Sequence, residues 1–192
     1  MATPNGNGDK TVDVERSNLA QVEMLNQRGG RTLSIVDLVD AGTLSPDMAA
    51  LCRLLVEGGE SFLAGSVPGG AGKTTLMAAV LGFLPAGERI VTAADADTVS
   101  RAAGGAIATP FCLLAHEIGQ GRWYGYIWGR VAQEFFSLGG AGARRVSCLH
   151  ADTPEQTDDI LARCGVRHED IERVGFQMFI GEIGRASCRE RV

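Results

Sequence analysis

The sequence predicts an α/β fold in which helices flank a mostly parallel sheet. Short apolar runs typical of buried strands alternate with helical segments, and the first of these runs leads through a glycine-rich turn into a helix. The chain has 192 residues, of which 45% are apolar and 21% charged. It is therefore long enough to form one domain with its own core.

The elements follow in order along the chain. Residues 1–30 are rich in glycine, asparagine and charge, and they predict a flexible lead-in. Residues 31–59 predict a helical lead of two helices, the second beginning with Ser45 as its cap and Pro46 at its first position. The predicted strands are 60–65, 88–95, 109–117, 144–151 and 176–180, and the later predicted helices are 73–84, 126–138 and 154–164.

The end of the chain changes character. Residues 182–192 are basic and lack an apolar period, and they look like the translation of a common sequencing-adapter oligonucleotide. They are therefore set apart from the domain at 31–181. On this interpretation the natural chain continues beyond Ile180, and the sheet is truncated at its C-terminal side.

Composition excludes several classes of function. The formal net charge is -5 and no run of Lys or Arg forms a basic patch, so no nucleic-acid partner is expected. No apolar stretch reaches the length of a membrane span and no signal peptide is evident, which predicts a cytoplasmic protein. The five cysteines include no C-x-x-C pair and predict free, buried thiols.

Residues 66–75, SVPGGAGKTT, lie between a predicted strand and a predicted helix. This order predicts a phosphate-binding loop, and hence a P-loop NTPase, because bare backbone N–H groups can surround phosphate oxygens at a helix start. Lys73 would reach the outer phosphates, Thr74 would offer its hydroxyl to Mg²⁺, and Thr75 would contact the inner phosphate. The predicted contact set is Pro68, Gly69, Gly70, Ala71, Gly72, Lys73, Thr74 and Thr75. The motif's first glycine falls on Val67.

Hydrolysis would also need an acidic residue near the metal and the attacking water. Glu117 closes one apolar run, and Asp95 and Asp97 close another. The carboxyl ends of parallel strands meet beside such a loop, so these acids are candidates for that role. The alternative is that they are only solvated strand-end acids.

Two further residue patterns can be explained either by function or by ordinary packing and hydrogen bonding. Residues 122–129 group four aromatic side chains, which predicts either core packing or a stacking platform for a base. Cys148, His150, Cys164 and His168 would give four metal-type ligands, although their spacing matches no standard zinc pattern. His150 could equally be a hydrogen-bonded histidine at a strand end.

Taken together, residues 33–159 resemble the secretion (traffic) ATPases that power type II and type IV secretion and pilus assembly. The helical lead of the pilus-assembly members is similar to TLSIVDLVDAGTLSPDMAALC, and their strand and acidic box to FLPAGERIVTAADAD. The family's GEVRG Walker B segment corresponds to HEIGQGRWYGY. Its LHA histidine box corresponds to CLHADTPEQ.

The resemblance implies a RecA-like domain that assembles into a hexamer and hydrolyses ATP with Mg²⁺ to move a pilin or a secreted substrate. It also implies a partner in a secretion or pilus membrane platform. It would assign Lys73 and Thr74 to the phosphates and the metal, and Glu117 to the attacking water. Asp95 would serve the acidic box on the metal side, and His150 would sense the γ-phosphate.

The chain also departs from this family. Ala94 and Thr98 stand where the acidic box carries glutamates, and the spacer before His116 is short and lacks the expected arginines. Without an arginine, catalysis could lose ~10³- to 10⁵-fold. The candidate substitutes are an arginine from another chain, or Arg122, Arg130, Arg144 and Arg145. Two alternatives therefore stay open: a non-hydrolysing nucleotide-binding assembly or regulatory protein, and a small-molecule phosphotransferase.

Overall fold

The computed structural model describes residues 6–26, 31–138, 142–181 and 186–190. The helices within these residues are α1 (Gly6–Met24), α2 (Ile35–Asp40), α3 (Pro46–Glu57), α4 (Lys73–Leu81), α5 (Ala96–Ala103), α6 (Arg130–Ser137), α7 (Pro154–Arg163) and α8 (His168–Glu172). The strands are β1 (Phe62–Gly65), β2 (Arg89–Thr92), β3 (Phe111–Ile118), β4 (Tyr126–Ile127), β5 (Ala143–Leu149), β6 (Phe176–Ile180) and β7 (Ala186–Glu190).

All described strands belong to one sheet, ordered β2-β3-β5-β1-β6-β7, with β4 paired to the end of β3. Every pairing is parallel except that of β6 with β7. In register, Phe62 of β1 lies opposite Val146 of β5 and Phe176 of β6. The predicted mostly parallel α/β sheet is confirmed. Because the strands run in one direction, the carboxyl ends of β1, β3 and β5 lie at the same edge.

Helices cover both faces of the sheet. Successive side chains of a strand point to opposite faces, and β1 follows this rule. Phe62 belongs to the apolar cluster under α2, α3 and α4, and Leu63 to the cluster under α5, α6 and α7. Phe62 also stacks on Phe176 with ring centroids 5.2 Å apart. The cysteines whose side chains are described are buried, as predicted, and no disulfide joins them: Cys52, Cys112, Cys148 and Cys164.

The predicted second helix begins as expected. The hydroxyl of Ser45 accepts a hydrogen bond from the backbone N–H of Met48, and Pro46 takes the first helical position. Ser34 caps α2 in the same way and exchanges hydrogen bonds with Asp37. Both caps satisfy backbone donors that a helix start leaves unpaired.

Several predicted elements begin or end elsewhere, and two of these differences follow from a neighbouring element. The helix predicted over 126–138 starts only at Arg130, because Tyr126 and Ile127 form β4 against the end of β3. Gly129, at φ 57°, separates β4 from α6. The strand predicted over 88–95 ends at Thr92, because Asp95 adopts the N-cap position of α5.

The lead-in differs most from the prediction. The sequence predicted flexibility over 1–30, of which residues 1–5 and 27–30 lie outside the described residues. Over 6–24 the chain forms α1, which lies against β2. Asn18 donates to the carbonyl oxygen of Glu88 and accepts from the N–H of Ile90. Side-chain hydrogen bonds to a sheet edge thus position a helix that has little apolar pattern of its own.

Residues 182–192 were set apart by the sequence, yet residues 186–190 form β7 and extend the sheet beside β6. No helix in the described parts of the chain combines the length and the apolar character needed to cross a membrane.

Candidate functional site

Residues 66–75, here called the glycine-rich loop, comprise the connection from β1 to α4 and the first three residues of α4. A Cβ at Gly65, just before the loop, would lie 2.4 Å from the carbonyl oxygen of Ala151, so this close approach requires glycine. Gly70 and Gly72 have φ values of 81° and 99°. Gly72 is the N-cap of α4 and brings no side chain to the first turn. The N–H groups of this helix start are therefore left without a side-chain cap.

A cavity of about 500 Å³ lies over the loop, a size typical of small-molecule sites. One wall comes from the glycine-rich loop and α4 and consists of Gly69, Gly70, Gly72, Lys73, Thr74, Thr75 and Ala78. This wall contains most of the residues that the sequence predicted as phosphate contacts. Pro68 and Ala71 are not among the residues that line the cavity.

The opposite wall comes from strand ends. His116, Glu117, Tyr126 and His150 line the cavity from β3, β4 and the residue that follows β5. Glu117 and His150, predicted from separate motifs, therefore face the same space as Lys73. The parallel sheet explains this meeting, because both residues lie at carboxyl ends of strands.

A third wall was not foreseen from the sequence. It comes from residues before α2 and consists of Leu25, Asn26, Arg31, Thr32 and Leu33. Arg31 forms a fork with Asp37, in which Nη1 lies 2.7 Å from Oδ2. This arginine, the Ser34 hydroxyl and the Ser34 N–H hold the pKa of the Asp37 carboxyl well below its usual range. The end of the predicted lead-in and the start of the predicted helical lead thus form a wall of the cavity.

Lys73 is a buried cation, with 6% of its surface exposed. Its Nζ donates to the carbonyl oxygen of Ser66 at 3.0 Å. Among the described residues, no carboxylate lies within ion-pair distance of this ammonium group. A buried charge with only a carbonyl partner would gain from an anion in the cavity.

His150 connects the loop to Glu117. Its Nδ1 lies 2.8 Å from the carbonyl oxygen of Val67, which can only accept, so Nδ1 donates this hydrogen bond. Its Nε2 lies 3.3 Å from Oε1 of Glu117. Because Nδ1 acts as a donor here, the 3.3 Å approach of the Lys73 Nζ to it is a contact rather than a hydrogen bond in this tautomer.

Val67 takes the place of the motif's first glycine, and both of its backbone polar groups are engaged. Its carbonyl oxygen accepts from His150, and its N–H donates to Oδ1 of Asp152 at 2.7 Å. The segment after β5 therefore fixes the start of the glycine-rich loop.

His116 immediately precedes Glu117 and is 3% exposed. Neither ring nitrogen has a hydrogen-bond partner among the described residues. Burial lowers the pKa of His116 and favours the neutral ring.

Tyr126 lies opposite Glu117 in register. Its pKa is raised first by burial and then by the negative charge of Glu117.

Asp95 does not join this group. Its Oδ1 accepts from the N–H of Thr98 at 2.8 Å, as the N-cap of α5, and it is not among the residues that line the cavity. These hydrogen bonds lower its pKa. The structure thus gives Asp95 a local capping role, while the sequence predicted a metal ligand.

Two of the candidate arginines are engaged at the other end of the sheet. Arg144 pairs with Glu88, with Nε 2.7 Å from Oε1. Arg145 donates to the carbonyl oxygens of Phe136 and Arg173. Both lie near the amino end of β5, far along the strand from His150. The other two, Arg122 and Arg130, are exposed, and Arg130 pairs with Glu134.

The side chains that line the cavity limit which metal ion could bind there. Mg²⁺ prefers oxygen ligands and keeps several of its waters, and it usually binds proteins together with phosphates. The cavity offers the Thr74 hydroxyl and one carboxylate, Glu117. Among the described residues, no group of three or more His, Cys, Asp or Glu side chains is placed to hold a metal. The four-ligand Cys and His alternative is therefore not formed. The cavity suits an ion that arrives with a phosphate ligand.

The aromatic cluster is divided between surface and cavity. Trp123 is 66% exposed and meets Tyr126 edge to face, with ring centroids 6.4 Å apart. Tyr124 packs in the same manner against His116 at 5.3 Å. Neither alternative from the sequence describes the whole cluster, because Tyr126 lines the cavity while Trp123 faces solvent.

In sequence, the chain matches no protein-family model and no curated protein. In structure, it is similar to the crystal structure of the VirB11 ATPase from the Brucella suis type IV secretion system in complex with sulphate, with a TM-score of 0.53 and 17% identity. The similarity covers 89% of this chain, which spans 60% of the VirB11 chain. At this identity the likeness shows the fold: a mostly parallel α/β architecture shared with a type IV secretion ATPase.

Proposed function

We propose that the protein binds ATP with Mg²⁺ in the cavity over the glycine-rich loop and hydrolyses it, as a relative of the type II and type IV secretion and pilus-assembly motors. One observation carries the proposal. A buried lysine that has no carboxylate partner within the described parts of the chain and an uncapped helix start share a cavity with a strand-end glutamate and histidine. Lys73 and the start of α4 would bind the phosphates, and Glu117 and His150 would act on the attacking water.

The binding half rests on charge and on the bare backbone. Lys73 would exchange its hydrogen bond to Ser66 for the outer phosphates, and the first turn of α4 would place its N–H groups toward phosphate oxygens. Gly69, Gly70 and Gly72 line the cavity without side chains that would block this approach. Leu25 and Leu33 would offer apolar contact to the base.

The hydrolytic half rests on Glu117. Its carboxylate would orient the attacking water and accept its proton, the role of a general base. His150 would then transmit the state of this carboxylate to the loop, because its ring contacts Glu117 on one side and Val67 on the other. Mg²⁺, held by Thr74 and the phosphates, would supply charge neutralisation.

Assembly is part of the proposal. The likeness to a secretion ATPase supports a homo-oligomer, and the resemblance in sequence favours a hexamer that works with a membrane-platform protein. An oligomer would also allow another copy to supply an arginine at the γ-phosphate. Arg144 and Arg145 do not meet this need, because both are engaged away from the cavity.

The test compares binding and turnover in the same preparations. Binding of a fluorescent ATP analogue and phosphate release would be measured for the unchanged protein, Glu117→Gln and Lys73→Ala. We expect Glu117→Gln to keep its affinity within about threefold and to lose roughly 10²- to 10⁴-fold in phosphate release. Lys73→Ala should lose affinity. Glu57→Gln, on the exposed side of α3, is the matched control and should change neither.

A second candidate is a nucleotide-binding subunit that does not turn over. It is favoured by the lack of an available arginine for the γ-phosphate. Among the described residues, Arg31 is the one arginine that lines the cavity, and it already pairs with Asp37. Magnesium-dependent binding with no phosphate release, even at protein concentrations that favour assembly, would support this candidate. Absence of any binding would reject both.

A further inference from the structure

His116 is a buried polar side chain that still needs a partner. It is 3% exposed, and both of its ring nitrogens lack a hydrogen bond among the described residues. A buried, unsatisfied polar group carries a substantial free-energy cost, so its presence calls for an explanation. Because His116 lines the cavity over the glycine-rich loop, a bound ligand can supply the missing partner.

The ring is held in place by packing. A Cβ at Gly125 would lie 2.7 Å from Cγ of His116, so the bare Gly125 backbone lies directly against the imidazole. Tyr124 meets the ring edge to face at 5.3 Å. These contacts fix the orientation of the imidazole without using its nitrogens.

The end of β3 brings this ring to the cavity. The register of β3 with β5 shifts between Ala115 and Ile118, and within this irregular stretch both His116 and Glu117 line the cavity. Thr74, the residue proposed to meet Mg²⁺, lies in the first turn of α4 and lines the same cavity.

We propose that His116 is a binding residue for the hydrated Mg²⁺ of the bound nucleotide, and that its imidazole accepts a hydrogen bond from a metal-bound water. The inference rests on the proposed function. Nucleotide-bound Mg²⁺ keeps several waters, and these are hydrogen-bond donors that need acceptors. Among the described residues that line the cavity, Glu117 is the only carboxylate, because Asp95 caps α5 instead. A neutral imidazole supplies a further acceptor without adding charge.

The experiment measures how strongly Mg²⁺ and nucleotide binding depend on each other. The dissociation constant of a fluorescent, non-hydrolysable ATP analogue would be determined with saturating Mg²⁺ and with excess EDTA. The full chain would be compared with His116→Leu, His116→Gln and the control His168→Ala. His168 is exposed and pairs with Glu172 on α8, so its loss removes a histidine away from the cavity.

We expect His116→Leu to lose about tenfold in affinity with Mg²⁺ and to keep its affinity in EDTA. His116→Gln should recover much of this loss, because its amide oxygen is an acceptor. His168→Ala should match the unchanged protein in both conditions. Without ligand, His116→Leu should unfold at the same or a higher temperature, since it removes an unsatisfied polar group.

Equal losses with Mg²⁺ and with EDTA, or no loss at all, would overturn the inference while leaving nucleotide binding intact. If the unchanged protein shows no magnesium-dependent affinity, the proposed function fails and the inference fails with it. Should both variants unfold, the imidazole nitrogens of His116 in the unchanged protein remain measurable by NMR. Their shifts should then respond to Mg²⁺ in the presence of the analogue, and an unresponsive ring would reject the proposal.

Discussion

Glu88 and Arg144 form a hydrogen-bonded ion pair inside the protein. The guanidinium donates through Nε to Oε1 at 2.7 Å and through Nη2 to Oε2 at 2.9 Å, and through Nη1 it also donates to the carbonyl oxygen of Glu60. The two side chains are 7% and 3% exposed. Removing one partner leaves the other charge buried and uncompensated.

Glu88→Ala should therefore lower the free energy of unfolding by about 3–5 kcal/mol. Denaturant unfolding followed by circular dichroism measures this change. The matched control is Arg53→Ala, which breaks an exposed pair with Glu57 on α3 and should cost less than about 1 kcal/mol. Similar costs for the two variants would show that the buried pair has no special role in stability.

Asp152 is a second residue whose effect can be isolated. Its carboxylate accepts the N–H of Val67 and so fixes the start of the glycine-rich loop. Asp152→Ala removes this acceptor and should weaken binding of the ATP analogue by roughly threefold to tenfold, because the loop must be ordered on binding.

Asp152→Asn separates the hydrogen bond from the charge. The amide oxygen can still accept from Val67, and a negative charge beside the start of the glycine-rich loop is removed, so affinity for the ATP analogue should be at least that of the unchanged protein. Fluorescence titration of both variants checks this order. If Asp152→Asn and Asp152→Ala weaken binding of the ATP analogue equally, the hydrogen bond between Asp152 and Val67 does not organise the glycine-rich loop.

Among the elements, α1 depends most on tertiary contacts. Asn18 replaces ladder hydrogen bonds along the edge of β2, since it pairs with both Glu88 and Ile90. Asn18→Ala should therefore speed amide hydrogen exchange at Ile90 by roughly tenfold, because that N–H loses its acceptor. Ser17→Ala, at an exposed neighbouring position on the same helix, is the control. An unchanged exchange rate at Ile90 would mean that α1 does not protect the β2 edge in solution.

Helix α5 carries a pH-dependent prediction. Asp95 caps it through Thr98, and these hydrogen bonds lower the Asp95 pKa in the folded state. A carboxyl whose folded pKa is depressed stabilises the fold above its unfolded pKa of about 3.9 and loses this contribution as pH falls through the folded value. Asp95→Ala should thus lower the melting temperature at neutral pH, and the difference should shrink as the pH falls below about 4.

Asp95→Asn is the informative partner variant, because an amide oxygen can still cap the helix while no charge remains. It should melt close to the unchanged protein. The same two variants also test the metal role that the sequence suggested. A capping residue leaves the magnesium dependence of nucleotide binding unchanged, whereas a tenfold loss of that dependence in both variants would return Asp95 to the metal site.

The elements divide clearly into those that a sequence reveals and those that it does not. The strands β1, β3, β5 and β6 are rich in apolar residues and almost entirely buried, and burial on both faces explains why they could be predicted. Helix α1 has only a weak signal, because few of its residues are apolar: Val22 packs against the core, and Asn18 and Gln21 form hydrogen bonds with β2 or its flank. Strand β4 is two residues long and exists only through its pairing with β3.

The site divides in the same way. Lys73 and Glu117 could be placed together because parallel strands end at one edge, a rule that needs no coordinates, whereas His150 was placed with them through the resemblance to the secretion ATPases. The missing partner of His116 and the contact of Asp152 with Val67 depend on register, loop path and side-chain direction. Asp95 shows a related ambiguity: a strand-end acid and a helix cap look alike in sequence, and here the strand ends three residues earlier.

At the scale of the whole molecule, the cavity joins parts of the chain that are distant in sequence. Its walls come from the segment before α2, from the glycine-rich loop with α4, and from the ends of β3 and β5. A ligand that contacts all three walls binds the folded state and not the unfolded chain. Such binding stabilises the fold as a whole.

This coupling gives a prediction for thermal unfolding. At about a hundredfold excess over its dissociation constant, a ligand adds about 2.7 kcal/mol to the free energy of unfolding. For a domain of this size, that corresponds to a rise in melting temperature of roughly 5–10 °C. ATP with Mg²⁺ should produce this rise in the unchanged protein and in Glu117→Gln, since the glutamate is assigned to turnover rather than to affinity. Lys73→Ala should show little rise, because the buried ammonium is the charge that the phosphates meet. Differential scanning fluorimetry at several ATP concentrations measures the effect. If Lys73→Ala responds as fully as the unchanged protein, nucleotide is bound elsewhere on the molecule and the glycine-rich loop is not its site.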